Sequence, residues 1–135
     1  MDSEFQAQFD ARHRVLLVTA GKRITRELYL GMYDAVQRFC AVEGPCSMIL
    51  DLSAVTEFNL PFEFLREIAA MEPAVPGPML RIAVAPQPAI FGSARVVETL
   101  RSETTGPVTV VRALDEAFAA VGGAKPADFT ALASF

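Results

Sequence analysis

The fold of this chain is decided by residues 47–65, SMILDLSAVTEFNLPFEFL. The segment joins a short apolar run, which is typical of a strand covered on both faces, to a polar loop and the start of an amphipathic helix. Asn59 is a candidate N-cap for this helix, and Pro61 is tolerated in its first turn because the N–H that proline lacks has no intrahelical partner there. Ligands of open α/β sheets bind beside the carboxyl ends of strands, so the loop after Asp51 is the first place to look for function.

A hairpin and a helix precede this segment. Residues 3–10 alternate between apolar and polar side chains, residues 14–20 form a more continuous apolar run, and their short connection predicts two antiparallel strands. The next apolar residues recur at spacings of three and four, which predicts a helix with Thr25 as its N-cap. Gly44 and the proline after it end this helix.

Further strands and helices alternate after the segment. Helices are predicted at about 60–71, after Pro88 and at about 114–121, and strands at 80–85 and 108–112. The prediction is an α/β protein in which an N-terminal β-hairpin precedes β-α repeats. We expect a mixed, mostly parallel five-stranded sheet with four helices mainly on one face.

Two predictions concern the less covered face of the sheet: which strand residues point to it and whether the C-terminal tail docks on it. Arg81, Ala83 and Thr109 are small or polar, so we place them on it. The domain is expected to cover residues 1–123, followed by a C-terminal tail, residues 124–135. Apolar side chains recur at every third position of the tail and are expected to dock on that face or on a second subunit: Phe129, Leu132 and Phe135.

Composition excludes several classes of protein. The chain has 135 residues, of which 52% are hydrophobic and 21% charged, as expected for one folded domain. A net charge of −4 with scattered basic residues argues against nucleic-acid binding. No apolar run approaches the ~18 residues of a membrane span and the N-terminus has no signal pattern, so we expect a cytoplasmic protein. Cys40 and Cys46 match no zinc or redox spacing and are expected to be reduced, buried thiols.

Three stretches, together with the order of elements, carry a family resemblance: ILDLSAVTEF at residues 49–58, RIAVAP at 81–86 and FGSAR at 91–95. On these the chain resembles the STAS-type fold of bacterial anti-sigma-factor antagonists. It resembles more closely the divergent stand-alone STAS-like proteins, often grouped as SpoIIAA-like. The resemblance covers about residues 3–122.

The resemblance implies a scaffold that binds other proteins, with one departure from the family pattern. In the antagonists an Asp-Ser-Ser/Thr-Gly turn begins the helix, and phosphorylation of its hydroxyl switches the partner surface. Here the corresponding positions 59–62 read NLPF, so no hydroxyl remains. Ser53 and Thr56 lie earlier in the loop and are alternative phosphate acceptors, although capping of the loop by their hydroxyls is the favoured interpretation.

The polar residues give no catalytic or metal constellation. His13 is the lone histidine and is expected to be exposed in the hairpin turn, without a neighbouring acid or second ligand. Asp51 is expected to order the loop by accepting amide N–H groups rather than to transfer protons. Glu63 and Glu67 are expected on a solvated helix face. We therefore predict a protein that is not an enzyme, with no catalytic, cofactor-binding or metal-binding residues.

An unusual density of apolar side chains surrounds the start of the second helix. Phe58, Leu60, Phe62 and Phe64 fall within seven positions, which is more than one helical stripe can bury, so some should line a pocket or a partner surface. The predicted partner or ligand surface consists of Thr56, Phe58, Asn59, Leu60, Phe62, Phe91 and Arg95.

Two functional hypotheses follow. The first is a non-enzymatic STAS-like regulatory or protein-interaction module that lacks the usual phosphorylatable serine and acts as a homodimer or with a regulatory protein partner. The alternative is a carrier or sensor of a small apolar, lipid-like ligand held between the second and third helices, an idea supported by the related architecture of lipid-transfer domains. An enzyme is the third possibility.

Overall fold

The computed structural model describes residues 5–75, 79–101 and 108–133. Within these residues the strands are β1 Phe5–Asp10, β2 Val15–Ala20, β3 Arg23–Thr25, β4 Ser47–Asp51, β5 Glu57–Asn59, β6 Arg81–Val84, β7 Thr109–Val111 and β8 Thr130–Ala131. The helices are α1 Arg26–Glu43, α2 Phe62–Ala70, α3 Pro88–Arg101 and α4 Leu114–Ala120, and a 3-10 turn spans Pro126–Asp128. None of the helices in the described ranges is long and apolar enough to cross a membrane.

A six-stranded mixed sheet forms the centre of the fold. Its strand order is β7-β6-β4-β2-β1-β8. The neighbours from β2 through β4 and β6 to β7 run parallel, whereas β1 is antiparallel to both β2 and β8. The predicted α/β architecture with an N-terminal hairpin and a mostly parallel sheet is therefore confirmed.

Two parts of the β-structure were not predicted. The sixth strand, β8, comes from the C-terminal tail. A separate two-stranded parallel sheet forms where Ile24 of β3 lies opposite Phe58 of β5. Each of its strands has only three residues, which is too short for an alternating pattern to be recognised.

The helices divide unequally between the two faces of the sheet. Successive side chains of a strand point to opposite faces. Leu16 and Met48 pack on the face covered by α1, α2 and α3, which we call the three-helix face. Val15 and Ile49 pack with Phe118 on the opposite face, which we call the α4 face. The prediction that the helices lie mainly on one face is confirmed.

The placement of Arg81 and Ala83 on the less covered face is wrong. Ile82 and Val84 pack against α4, so Arg81 and Ala83, which alternate with them, lie on the three-helix face. Thr109 is exposed, and its register opposite Ile82 places it on the α4 face. The alternation along β6 was recognised correctly, but it does not specify which helices cover which set of side chains.

The predicted cap of α1 is confirmed and that of α2 is wrong. The Thr25 hydroxyl accepts a hydrogen bond from the Leu28 N–H at 3.2 Å. Helix α2 begins later than predicted, with Pro61 at the N-cap and its carbonyl accepting from Phe64. Asn59 does not cap this helix because its backbone belongs to β5 and pairs with β3.

The C-terminal tail packs on both faces at one edge of the sheet. Its backbone pairs with β1, and the Leu132 N–H donates to the Ala7 carbonyl at 2.9 Å. Phe129 stacks on Phe118 of the α4 face with ring centroids 5.6 Å apart, whereas Leu132 packs against the cluster beneath α1. Phe129 therefore docks on the less covered face as predicted, whereas Leu132 lies on the three-helix face, contrary to the prediction; Phe135 lies outside the described residues.

Candidate functional site: an apolar cavity on the three-helix face

A cavity of about 130 Å³ lies between the sheet and the three helices. Side chains from the sheet and from all three helices line it, among them Met48, Leu50, Ala83, Met32, Ile68 and Val97. An apolar cavity of about 150 Å³ engineered into another protein admits benzene. The space in this protein therefore suits a compact apolar group of about that size.

The three helices that line the cavity also contact one another. Helix α2 packs on α3, and Ala94 of α3 and Ala83 of β6 both line the cavity. Helix α1 meets α2 at the other side through an edge-to-face contact between Tyr29 and Phe64, whose ring centroids are 5.8 Å apart. Protein interiors are normally close-packed, so an unfilled space of this size is unusual and marks a candidate ligand site.

One end of the cavity is polar. Tyr33 of α1 donates a hydrogen bond through its hydroxyl to the carbonyl of Glu72, an exposed residue on the rim. Burial raises the pKa of Tyr29 to about 12, although the positive charge of Arg101 opposes the shift. Burial and the Glu72 carboxylate also raise the pKa of Tyr33. Both phenols are therefore neutral at pH 7, and the charges on the lining belong to Glu72, Arg81 and Arg101.

Arg101 is held by the end of α2. Its side chain is 5% exposed, and its Nη1 donates to the carbonyls of Ile68, Ala69 and Met71 at 3.1, 3.1 and 2.9 Å. These carbonyls lie at the C-terminal end of a helix, where a cation also interacts favourably with the helix dipole. Arg101 thus fixes the end of α2 and brings a buried positive charge to the cavity.

Arg81 is bonded less completely. Its Nη2 donates to the Val75 carbonyl at 2.6 Å, but its buried Nε has no acceptor among the described residues. Burial, followed by the nearby charge of Arg101, lowers the pKa of the Arg81 guanidinium. No ion pair joins it to a carboxylate in the described part of the chain. A buried donor without an acceptor is energetically costly.

The predicted surface around α2 is divided between the cavity and the solvent. Phe58 and Leu60 line the cavity, and Leu60 is buried. Thr56 and Asn59 are exposed, as is 58% of the Phe62 side chain. The sequence therefore predicts two of the lining residues but not the polar end of the cavity.

The predicted residues of α3 lie outside the cavity lining. Phe91 packs against the core, and the Arg112 guanidinium lies 4.0 Å from the centre of its ring. Arg95 forms an ion pair with Glu98, with Nε and Oε1 2.6 Å apart. The structure does not bring Arg95 to the cavity with Phe58.

The loop after β4 is held by two side chains. Asp51 accepts hydrogen bonds from the N–H and the hydroxyl of Ser53. Gln87 donates through Nε2 to the carbonyls of Leu52, Ser53 and Val55 at 3.1, 3.1 and 2.9 Å. The role of Asp51 in the loop could be predicted from the sequence. That of Gln87 could not, because its partners lie more than thirty positions earlier.

The expectation that His13 is exposed and has no acidic neighbour is wrong. Its Nδ1 lies 2.6 Å from Oδ2 of the buried Asp10 and 3.9 Å from Oδ2 of Asp128, and its side chain is 20% exposed. The hairpin turn folds His13 back over Asp10, and the C-terminal tail supplies Asp128. These groups lie within 4.8 Å of one another, but Asp10 also accepts the N–H groups of Arg12 and His13, and Asp128 that of Lys125. The cluster joins the hairpin to the tail.

The two cysteines are free and buried, as predicted, but their proximity was not predicted. Their sulfur atoms lie 3.5 Å apart between the end of α1 and the start of β4. The hydrogen bond with Cys46 and, to a smaller extent, the charge of Arg14 lower the pKa of Cys40 against the effect of burial. The same hydrogen bond and burial raise the pKa of Cys46.

Comparison of the chain with protein-family models, curated proteins and solved structures found no match.

Proposed function

We propose that this protein binds a small, largely apolar ligand in the cavity of the three-helix face and acts as its carrier or sensor. The observation that carries the proposal is the cavity of about 130 Å³ with its largely apolar lining from the sheet and three helices. Apolar pockets with a few polar groups at one end are typical ligand sites. The polar end formed by Tyr33, Arg81 and Arg101 gives a ligand a defined orientation.

The energetic cost of an empty cavity supports this proposal. Apolar side chains that line an unfilled space lose the dispersion contacts that close packing would give them. A ligand that fills the space restores the missing contacts. A six-carbon ligand is expected to bind with a Kd on the order of 0.1 to 1 mM, given about 0.7 kcal/mol per heavy atom.

The experiment that tests the proposal is a titration with 1-hexanol monitored by the ¹³C-methyl NMR signals of methionine. Met32 and Met48 line the cavity and their signals should shift saturably, whereas Met79, which does not line it, should respond weakly. The absence of saturable shifts at Met32 and Met48 up to the solubility limit of hexanol would contradict the proposal.

A cavity-filling variant sharpens this test. Ala94→Leu places three additional carbons in the space, so it should abolish hexanol binding and stabilise the protein by about 0.5 to 2 kcal/mol. Ala70→Leu is the matched control, because Ala70 is exposed near the end of α2 and does not line the cavity. Equal hexanol affinity in both variants would place the binding elsewhere.

A second candidate function is protein interaction, as in the STAS-like hypothesis. It is favoured by Phe62, which is 58% exposed in the first turn of α2 beside the exposed Thr56 and Asn59. The proposed partner is a second copy of the chain. Sedimentation velocity should then show a dimer that Phe62→Ser dissociates, and a monomeric wild-type protein at about 100 μM would contradict a homodimer of the usual affinity range.

A further inference from the structure

The two cysteines of the chain meet at the junction between α1 and β4. Both are free, and their Sγ atoms lie 3.5 Å apart. Cys40 lies in the last turn of α1, Cys46 directly precedes β4, and Gly44 turns the chain between them with a φ of 99°. A disulfide bond holds its sulfur atoms about 2.05 Å apart, so an approach of about 1.5 Å would allow the bond to form.

Arg14 of the hairpin holds the two cysteine-bearing segments together. Its Nη1 donates to Glu43 Oε1 at 2.8 Å at the end of α1, and its carbonyl accepts the Ser47 N–H at 2.9 Å at the start of β4. These contacts keep the two sulfur atoms near each other without using either of them. Residues 41–43 are exposed, so the last turn of α1 has room to make the small movement that the bond requires.

The two thiols differ in reactivity. The hydrogen bond with Cys46 and the charge of Arg14 lower the pKa of Cys40 against the effect of burial, whereas the same hydrogen bond and burial raise the pKa of Cys46. Cys40 is 9% exposed and Cys46 is fully buried. Because the thiolate is the reactive form of cysteine, Cys40 is the thiol that meets a small oxidant first and Cys46 is placed to react with the product.

We infer that Cys40 and Cys46 form a redox modification site, at which a hydroperoxide converts the two thiols into a reversible disulfide. The Cys40 thiolate attacks the O–O bond, which breaks as an S–O bond forms, and the peroxide leaves as an alcohol, or as water from hydrogen peroxide. The Cys46 sulfur then attacks the Cys40 sulfenic acid: the S–S bond forms, the S–O bond breaks, and the hydroxide leaves as water with the Cys46 proton. The thiols lose two electrons and the peroxide gains them, and a dithiol reductant reverses the change.

The first test treats the folded, reduced wild-type protein with hydrogen peroxide and follows its intact mass and its free thiols. Both thiols should disappear together, and the mass of the single chain should fall by that of two hydrogen atoms. Dithiothreitol should restore both thiols. Two thiols that remain titratable after treatment, or a disulfide that joins two chains instead, would overturn the inference.

Single variants test the order of the two steps. Cys46→Ser keeps the reactive thiol without its partner, so the Cys40 sulfenic acid should accumulate and be trapped by dimedone. Cys40→Ser is the matched control: only the buried thiol remains, and it should react at least roughly 10-fold more slowly. Equal rates in the two variants would overturn the assignment of Cys40 as the reactive thiol.

Urea unfolding of the oxidised and reduced wild-type protein tests whether the native fold accommodates the bond. A disulfide that fits the folded structure stabilises it by constraining the unfolded chain, so the urea midpoint of the oxidised protein should be higher by about 1 M. The double variant Cys40→Ser/Cys46→Ser controls for oxidation of methionine, and its midpoint should not change with peroxide. A lower midpoint for the oxidised wild-type protein would show that the bond distorts the fold and would overturn the inference.

Discussion

The two faces of the sheet are covered differently, and the face with more helix above it is the one that contains the cavity. Three helices cover one face and leave a cavity of about 130 Å³, whereas on the other face the seven-residue α4 and the C-terminal tail bury the strands. Ile82 and Val84 pack with Phe118 on the α4 face, whereas the small residues Ala83 and Ala94 are part of the cavity lining on the three-helix face. The amount of helix above a face therefore does not by itself determine how well that face is packed.

The largest loss of stability is expected for a substitution that removes a packed ring from the α4 face. Phe118→Ala removes the ring that stacks on Phe129 and fills the space beside Val121, so it should lower the free energy of unfolding by about 3 to 5 kcal/mol. Urea unfolding measures this loss. Phe62→Ala is the matched control, because a ring that is 58% exposed should cost less than about 1 kcal/mol. Similar losses in the two variants would show that the α4 face is not closely packed.

A second prediction concerns the buried guanidinium of Arg101 on the three-helix face. Arg101→Met removes the side-chain donor of three carbonyls at the end of α2, of which that of Ile68 keeps the Met71 N–H, so it should lower the free energy of unfolding by about 1 to 3 kcal/mol. Arg95→Met is the control and should cost less than about 1 kcal/mol, since exposed ion pairs contribute little. A loss in Arg101→Met no greater than in the control would mean that these hydrogen bonds do not stabilise the helix end.

The same contrast shows what local sequence can and cannot specify. The continuous apolar run of β4 and the helical spacing in α1 predict both elements, because each pattern is complete within a short window. Arg101 gives no such signal, since an arginine at the end of a helix normally contacts solvent and its acceptors lie 30 to 33 positions earlier. Phe58 and Leu60 could be selected by their density, but their separation from Phe62 depends on the pairing of β3 with β5.

Arg81 is a further residue whose surroundings the local sequence does not specify. Its alternation with Ile82 is readable in the sequence, but the helices that cover each face depend on the path of the whole chain. The loop after β4 could be located from its position at the end of a strand, whereas the bonds from Gln87 that hold it could not. The positions of strands, helices and loops are thus predictable from this sequence, whereas side-chain contacts between distant segments are not.

The loop at the carboxyl end of β4 provides the third prediction. Asp51→Asn should keep an acceptor for the Ser53 N–H and cost about 1 kcal/mol or less, whereas Asp51→Leu leaves that donor unpaired and should cost roughly 1 to 3 kcal/mol. Urea unfolding of the two variants gives the comparison. Equal and negligible losses would show that Gln87 alone orders the loop.

The smallest expected effect concerns the pH dependence of stability. It arises from the cluster of Asp10, His13 and Asp128, which joins the hairpin to the tail. Burial alone would raise the pKa of Asp10, but hydrogen bonds from the backbone and ring of His13 and from the Arg12 N–H, with the charge of His13, lower it overall. A carboxyl whose pKa is lower in the folded than in the unfolded protein contributes stability that is complete above its unfolded pKa of about 3.9. That contribution is lost as the pH falls through the lower folded pKa. The wild-type protein should therefore lose stability through this group on acidification from about pH 5 to about pH 2.

Asp10→Asn isolates this contribution. An asparagine oxygen can still accept the N–H groups of Arg12 and His13 but cannot titrate, so the variant should be less stable than wild type near pH 5 and the difference should shrink towards pH 2. Asp34→Asn is the matched control, because Asp34 is an exposed aspartate paired with Arg38 on α1. Urea unfolding across this pH range measures all three proteins. A difference between Asp10→Asn and wild type that stays constant with pH would mean that Asp10 acts through its shape and neutral hydrogen bonds, and that charge plays no part in joining the hairpin to the tail.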